Sequence, residues 1–516
     1  MNKRYIQKSI NKFFLQLLFT ALGVFAPVCS FSQIYSNKNF VRIDSKDSEA
    51  DIIRKAANVV PSERQLRWQQ LGVTGFIHFG INTFTNKEWG DGSESPKLFN
   101  PTALDAKQWV RVCKENGIKQ VIITAKHHDG FCLWPSQYTD HSVKNSPWKN
   151  GNGDVVKEVA NACREYNVGF GVYLSPWDRN SSFFGDSAKY NNYFVNQLTE
   201  LLTHYGQVDE VWFDGANGEG PNGKKQVYDF NRWYSLIRKL QPNAIIAVMG
   251  PDVRWVGTES GYGRNTEWSV VPADAQVQEN IAANSQKDVS FAPTNMMDDD
   301  LGSRSKIRNS KSLVWYPAEI DVSIRPGWFY HPEEDDKVKS AAKLLDIYYS
   351  SVGRNGVLLL NIPPDKKGLI HENDIKNLKQ WKEIRVKTFS QNLFQNAKIS
   401  GIKKKEANSM LDEDYFSYWT TKGKNSTAII EFNLNTLQNF DVLLLQENIN
   451  VGQRIEKFVL EYKDGKQWKK AAEGTTVGYK RIIKFDPIQA KVVRLRIESS
   501  RLNPTISTIG LYKQAE

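Results

Sequence analysis

A (β/α)8-like barrel followed by an all-β sandwich is the architecture that this sequence of 516 residues predicts. Three observations carry it. From about residue 60 to 365, short apolar runs alternate with amphipathic helical runs, the pattern of a parallel sheet with helical crossovers. A doubly wound sheet would usually carry a Gly-rich phosphate turn after its first strand, and His78-Phe79-Gly80 stands there instead. From about 392 the pattern changes to short β-favouring runs separated by turn signals such as Lys463-Asp464-Gly465.

In chain order, Lys3, Arg4, Lys8 and Lys12 precede an apolar run at 13–28. Residues 1–32 therefore read as a secretion signal, with Ser30 and Ser32 as the small residues before a cut at Gln33. The run is about 16 residues, short for a membrane span. Cys29 raises a lipoprotein alternative, but bulky Val28 precedes it where a small residue is needed. The expected product is exported, to the periplasm or the medium, without membrane insertion. Residues 33–390 form the predicted barrel with its connecting helix, and 391–516 the sandwich. Barrel strands are expected at 75–80, 120–126, 169–175, around Trp212, at 244–249 and at 356–363. Helices are expected at 101–116 (capped by Asn100 and closed by Gly117), 155–166, 190–204, 230–240, 336–351 and 372–389. The region 260–335 is loop-rich. Sandwich strands are expected at 428–434, 441–445, 455–462 and 491–497.

Composition narrows the function. Aromatic residues make up 12% of the chain, including 15 Trp, which excludes a disordered chain and suits stacking against sugar rings. The net charge of +11 is concentrated in the signal and the sandwich. Its basic residues are not interleaved with aromatics, so no nucleic-acid partner is expected. Removing Cys29 leaves Cys113, Cys132 and Cys163, an odd number that argues against a disulfide framework.

The chemistry concentrates at strand ends. Glu210-Val-Trp-Phe-Asp-Gly215 reads as a buried strand that ends on one carboxylate, Asp214. Active sites of such barrels lie at the carboxyl ends of the strands. His78, His127 and His128 also follow predicted strands. Adjacent side chains on a strand point opposite ways, so His127 and His128 share a site only if the strand ends or bulges there. The spacing matches no zinc motif, so no metal or other cofactor is expected; neutral histidines donating to sugar hydroxyls fit better. A glycosidase needs a second carboxyl group. Glu259 and Glu267 both have tryptophan neighbours that could raise a carboxyl pKa, and Glu319 reads as structural. Asp298-Asp299-Asp300 lacks the alternating spacing of a calcium loop and reads as solvated.

Together these motifs resemble the family 29 glycoside hydrolases, the retaining α-L-fucosidases. The resemblance runs through Trp68–Gly80, Glu88-Trp89-Gly90, Thr124–Phe131, Val172–Pro176, Val211–Gly215 and Arg325–His331. It implies that Asp214 is the nucleophile. It also implies that His78, Glu88, Trp89, His127, His128, Tyr173 and Trp212 contact fucose, with Trp328 as an aromatic wall. The segment Trp255-Val-Gly-Thr-Glu259 resembles the subgroup that cleaves α-1,3- and α-1,4-linked fucose from branched, Lewis-type glycans, which makes Glu259 the acid/base and Glu267 the reserve. The tail resembles a galactose-binding, discoidin-type sandwich. The implied partner is a fucosylated oligosaccharide or glycoprotein glycan. Three readings compete: a broad α-1,2/α-1,6 fucosidase, a galactosidase or transglycosylase, and an inactive glycan-binding protein.

Overall fold

The computed structural model describes residues 38–273 and 299–516. The signal at 1–32 and Asp298 lie outside the described residues. Eight strands form a near-closed barrel: β1 (Val73–Ile77), β2 (Gln120–Lys126), β3 (Gly169–Leu174), β4 (Glu210–Phe213), β5 (Ile245–Val248), β6 (Arg254–Trp255), β7 (Ala318–Ser323) and β8 (Val357–Asn361). Neighbours pair in parallel from β1 to β5, and β8 joins β1 on one side and β7 on the other. The two-residue β6 pairs with β7, and an antiparallel bridge from Met249 to Arg254 closes the ring between β5 and β6.

Strand alternation sorts two cores. Phe76, Ile122, Tyr173, Trp212, Ala247, Val357 and Leu359 point inward and fill the barrel. Ile77, Val121, Ile123, Val211, Phe213 and Leu358 point outward under the helices. Helices α1 (Ala106–Glu115), α2 (Val155–Tyr166), α3 (Ser187–His204), α4 (Phe230–Leu240), α5 (Ala341–Ser350) and α6 (Glu372–Phe389) cover that outer face.

Three helix starts differ from the sequence reading: the helix expected from 190 begins at Ser187 on the Asp186 cap, and two others begin late. The helix expected from Pro101 begins at Ala106, capped by Asp105, whose Oδ1 accepts from the Gln108 amide at 3.0 Å. Residues 101–105 instead run along the loop after β8, with Ala103 and Asp105 donating to Lys367 and Gly368 carbonyls. The helix expected from 336 begins at Ala341 on the Ser340 cap, after a 3-10 turn at Pro332–Lys337. The loop-rich stretch 260–335 conceals β7 and two short strands, Val270–Pro272 and Ser312–Trp315, which join Phe40–Arg42 in a small antiparallel sheet.

The sandwich is built on two long strands that pair with each other, β9 (Ala428–Gln446) and β12 (Arg481–Ser500); β10 (Ile455–Asp464) pairs with β12, β11 (Gln467–Gly474) with β10, and β13 (Thr508–Tyr512) with β9. The runs expected at 428–434 and 441–445 are one strand, bent where its register against β12 shifts. The domain seam is apolar and hydrogen-bonded. Val442, Leu444, Ile482 and Tyr512 pack into the barrel's outer core. Ile482 N donates to Gly353 O and Asn355 N to Lys480 O, each at 2.9 Å. Cys113, Cys132 and Cys163 are buried and free. Among the described residues no helix is long and apolar enough to cross a membrane.

Leu444→Ala removes a seam side chain that both domains share, so it is expected to cost about 2 kcal/mol, the lower end for such a truncation. The check is the urea midpoint, which should fall by the same amount whether followed by tryptophan fluorescence or by far-UV circular dichroism.

Candidate active site

The carboxyl ends of seven barrel strands, all but β5, supply one rim. Asp214 is the first residue past β4. Its Oδ1 accepts from the Ala216 amide at 2.6 Å and its Oδ2 from the Tyr173 hydroxyl at 3.3 Å. His128 Nε2 lies 3.8 Å from Oδ2. Burial, and then the neighbouring negative charge, push the Tyr173 hydroxyl well above its ordinary range, so it stays a hydrogen-bond donor.

The histidine pair resolves as the sequence required. The register of β2 against β3 shifts between Thr124 and Lys126, and the strand ends at Lys126. His127 and His128 therefore turn to the same side, with ring centroids 4.1 Å apart. His78 joins them, 5.7 Å from His127. Burial holds all three rings neutral: His78 is pushed down to about 3, His127 well below its ordinary value, and His128 down despite the opposing charge of Asp214.

Second partners decide the tautomers. Asn361, the last residue of β8, donates its amide to Ser323 Oγ at 2.9 Å and to the Trp328 carbonyl at 2.8 Å. That fixes Oδ1 as the acceptor of the His78 amide (3.2 Å) and of Nδ1–H (2.9 Å). Ser175 donates to the Trp177 carbonyl at 2.6 Å, so its oxygen accepts from His128 Nδ1–H at 2.8 Å. In both rings the single N–H is spent internally, which leaves Nε2 an acceptor. The expectation that these rings donate to a ligand is corrected accordingly. His127 Nδ1 has no hydrogen-bond partner among the described residues and lies 3.9 Å from Asp129 Oδ2.

Aromatic residues wall the site. Trp89 is 57% exposed and stands edge-on to His128 and Trp177. Its loop is tied down by Arg179 Nη1, which donates to Gly90 O, and by Asn180 Nδ2, which donates to Gly92 O at 2.8 Å. Gly92, at φ +87°, lies so close to the Arg179 backbone that a Cβ would meet it at 2.4 Å. Trp328 tilts over His78 at 5.1 Å. Glu88 holds that wall in place: its carboxylate accepts from the Trp328 amide (2.9 Å), the Phe329 amide (3.1 Å) and the His331 ring (2.6 Å). Trp212 points down into the barrel, where its Nε1–H donates to Glu319 at 2.6 Å.

The three candidate glutamates separate clearly. Glu259 stands at the exposed rim with its carboxyl turned inward, where Oε2 accepts from Trp328 Nε1 at 3.1 Å. Desolvation of that carboxyl raises its pKa, the Trp328 bond opposes the shift, and the charges of Asp214 and Glu88 add to it. Glu267 is buried far from this rim, paired with Arg254 and, at 3.3 Å, with Arg264. Its backbone is held by Thr476 and Gln453 of the sandwich. Glu319 is buried on β7, and burial beside Glu210 keeps it protonated. Glu210 accepts from Trp68 Nε1 at 3.0 Å and Gln120 Nε2 at 2.6 Å, so the pair forms a polar floor beneath Trp212.

One site carboxyl escaped the sequence reading. Asp321 on β7 is buried, and its Oδ1 accepts from Trp255 Nε1 at 2.8 Å. Burial raises it to about 8, with Glu259 and Asp214 adding to the shift. Its signal was an alternating Ala-Glu-Ile-Asp-Val-Ser strand with acids on every second residue. Among the described residues no group of three or more His, Cys, Asp or Glu is placed to hold a metal ion.

A site of neutral imidazoles, indole walls and one hydrogen-bonded carboxylate facing a second, partly desolvated carboxyl suits a polyhydroxylated ring. Comparisons with known proteins agree. The profile of the family described as Alpha-L-fucosidase matches residues 62–384, and that of the F5/8 type C domain matches residues 379–510. Alpha-L-fucosidase 1 of Arabidopsis thaliana is 44% identical over 465 residues, covering 88% of this chain and 87% of that protein. A Ruminococcus gnavus GH29 fucosidase solved in complex with fucose superposes with a TM-score of 0.78 at 31% identity, covering 89% of this chain and 95% of that one. A glycoside hydrolase 29 family member from an unknown rumen bacterium gives a TM-score of 0.74 at 40% identity, covering 89% and 78%.

The buried carboxyl of Asp321 predicts a pH signature. Its folded pKa exceeds its unfolded value, so the native state binds the extra proton. Its contribution to stability is complete at about pH 4 and is lost as pH rises through about 8. Asp321→Asn keeps the acceptor for Trp255 and should flatten the decline in unfolding free energy across that window; urea titrations at several pH values check it.

Proposed function

The chain belongs to the α-L-fucosidase family and is a glycoside hydrolase, and from that premise we propose that it is an exo-acting, retaining enzyme specific for α-1,3- and α-1,4-linked fucose on branched, Lewis-type glycans. The observation that carries the reading is the pairing of Asp214 with Glu259. One carboxylate is fixed by Tyr173 and the Ala216 amide, and the other carboxyl, on Trp328, has its proton affinity raised partly by the first. Retaining glycosidases need such a nucleophile and acid at one bond.

In this reading Asp214 attacks the anomeric carbon while Glu259 gives its proton to the leaving glycosidic oxygen. A fucosyl-aspartyl ester forms and the remaining glycan departs. Glu259, now a carboxylate, takes a proton from water. The water oxygen displaces Asp214, and fucose leaves with its original anomeric configuration. The neutral Nε2 atoms of His78 and His128 accept hydrogen bonds from ring hydroxyls, and His127 adds a third polar contact. Trp89 and Trp328 pack against the apolar faces of the sugar. Glu88 contacts it less directly, since three protein donors already engage its carboxylate. Trp212 closes the floor. The rim position of Glu259, on the loop after Trp255, supports the preference for branched glycans, because a branch on the leaving sugar would lie at that rim. The basic start and apolar run at 1–28 support export.

Fucose release from a Lewis-type trisaccharide and from 2′-fucosyllactose, followed by proton NMR, tests the proposal. The expected result is release from the trisaccharide alone, with the α-anomer appearing first. Glu259→Gln should lower kcat about 10²–10⁴-fold, as loss of a general acid does. It should also remove the fall in rate at high pH, since raising the pH through the elevated Glu259 pKa empties the acid form. Glu267→Gln should change stability more than kcat. Equal cleavage of both sugars would leave a broad fucosidase, and first appearance of the β-anomer would end the retaining mechanism.

A further inference from the structure

We propose that the seam between barrel and sandwich holds a second binding site, for an organic anion of sugar size that carries a carboxylate or a sulfate group. The cleft has a volume of about 520 Å³. That is far more than a bare oxyanion fills and is within the range of small-molecule pockets. Leu345, Tyr349 and Arg354 bound it on the barrel side, and Arg481, Ile482 and Lys484 on the sandwich side.

Its charge is what points to an anion. Arg354 and Arg481 are backbone bridge partners, so two guanidinium groups are rooted opposite each other in one cleft. Arg481 is 8% exposed and spends Nη1 on the Asn265 carbonyl at 2.7 Å, while its Nε has no partner. Arg354 spends Nη1 on the Gly263 carbonyl at 2.9 Å. Among the described residues neither arginine has a carboxylate within 4.0 Å, although a buried guanidinium ordinarily has one. Burial, and then the charge of Arg354, depress the Arg481 pKa to about 10. Asp346 draws on Arg354 from a distance, but it is bonded to Tyr262 and Lys343. Glu473 at the edge is paired with Lys470 at 2.9 Å. Lys484 is paired with Asp441 at 3.3 Å.

Further donor capacity and apolar surface complete the cleft. Tyr349 is 9% exposed, and its hydroxyl is unpartnered among the described residues. Leu345 and Ile482 offer apolar surface for a carbon skeleton. The site is separate from the catalytic rim: Arg354 lies three residues before β8, at the amino-terminal end of the strands. The oxyanion would bridge the two guanidinium groups, accept from Tyr349 and offset a repulsion that the fold leaves open.

Calorimetric titration of the full-length protein at low ionic strength tests this, with sodium glucuronate, galactose 6-sulfate, inorganic sulfate and glucose as probes. At least one of the two sugar anions should bind and glucose should not. Affinity should fall about ten-fold or more in Arg481→Gln, the loss of a charge-assisted bond. It should fall several-fold in Tyr349→Phe. That variant removes a hydroxyl without a partner, so it should fold with an unchanged or higher urea midpoint and keep the test valid if Arg481→Gln folds poorly. Excess fucose should not displace the anion. No binding of either sugar anion at tens of millimolar, equal affinity in Tyr349→Phe, or displacement by fucose would overturn the proposal. Inorganic sulfate binding as tightly as both sugar anions would overturn its sugar-sized ligand.

Discussion

Desolvation at the mouth of a filled barrel is the constraint on which the site depends. It acts in one direction on every titratable group it reaches, toward the neutral form. Imidazoles lose their proton affinity, as His78, His127 and His128 do, while carboxyls gain it, as Glu259, Asp321 and Glu319 do. Asp214 differs in its surroundings: its side chain is 27% exposed, and two protein donors meet its oxygens. Asp214 thus faces neutral imidazoles, while the Glu88 carboxylate is engaged by donors on the Trp328 loop. Such a setting lets a developing positive charge on a sugar be answered by one carboxylate rather than shared among many.

Neutrality alone would leave the rings free to rotate. Asn361 and Ser175 supply the orientation, each by being oriented itself. Asn361 is set by Ser323 and the Trp328 carbonyl, and Ser175 by the Trp177 carbonyl. These partners come from β7, β8 and the loop after β3, so the tautomers of two histidines depend on three strand ends holding their positions. Below them, Glu210 and Glu319 accept three indole or amide donors and keep Trp212 upright between the floor and the rim.

Much of this was legible in the sequence because it is local. Strand β2 and helices α2, α4 and α6 begin and end where apolar periodicity and caps place them. His78, His127, His128 and Asp214 stand out because each lies at the end of a predicted strand. What was not legible depends on distant partners. Glu259 and Glu267 have similar neighbours in sequence, yet one meets Trp328 and the other two arginines and the sandwich. Strand β6 is two residues long, too short for any periodicity, and β7 was masked by the loops around it. The 101–105 stretch carries a good helix start, but its backbone donors go to the loop after β8 instead. The Asn361 role is invisible in Leu-Leu-Leu-Asn because its acceptor oxygen serves a residue 283 positions away.

The Glu88 carboxylate has a consequence for how such a pocket can change. It joins the loop after β1 to the loop after β7 through Trp328, Phe329 and His331, so the two segments behave as one moving part although more than 200 residues of chain separate them. Trp328 in turn touches Glu259. Remodelling the entrance, by drift or by design, therefore requires paired changes in both segments. A single exchanged loop would bring its own register and leave the indole wall and Glu259 out of step. Inheritance of the two segments together is the path of least disruption, and a chimera built from them should be cut at four points rather than two.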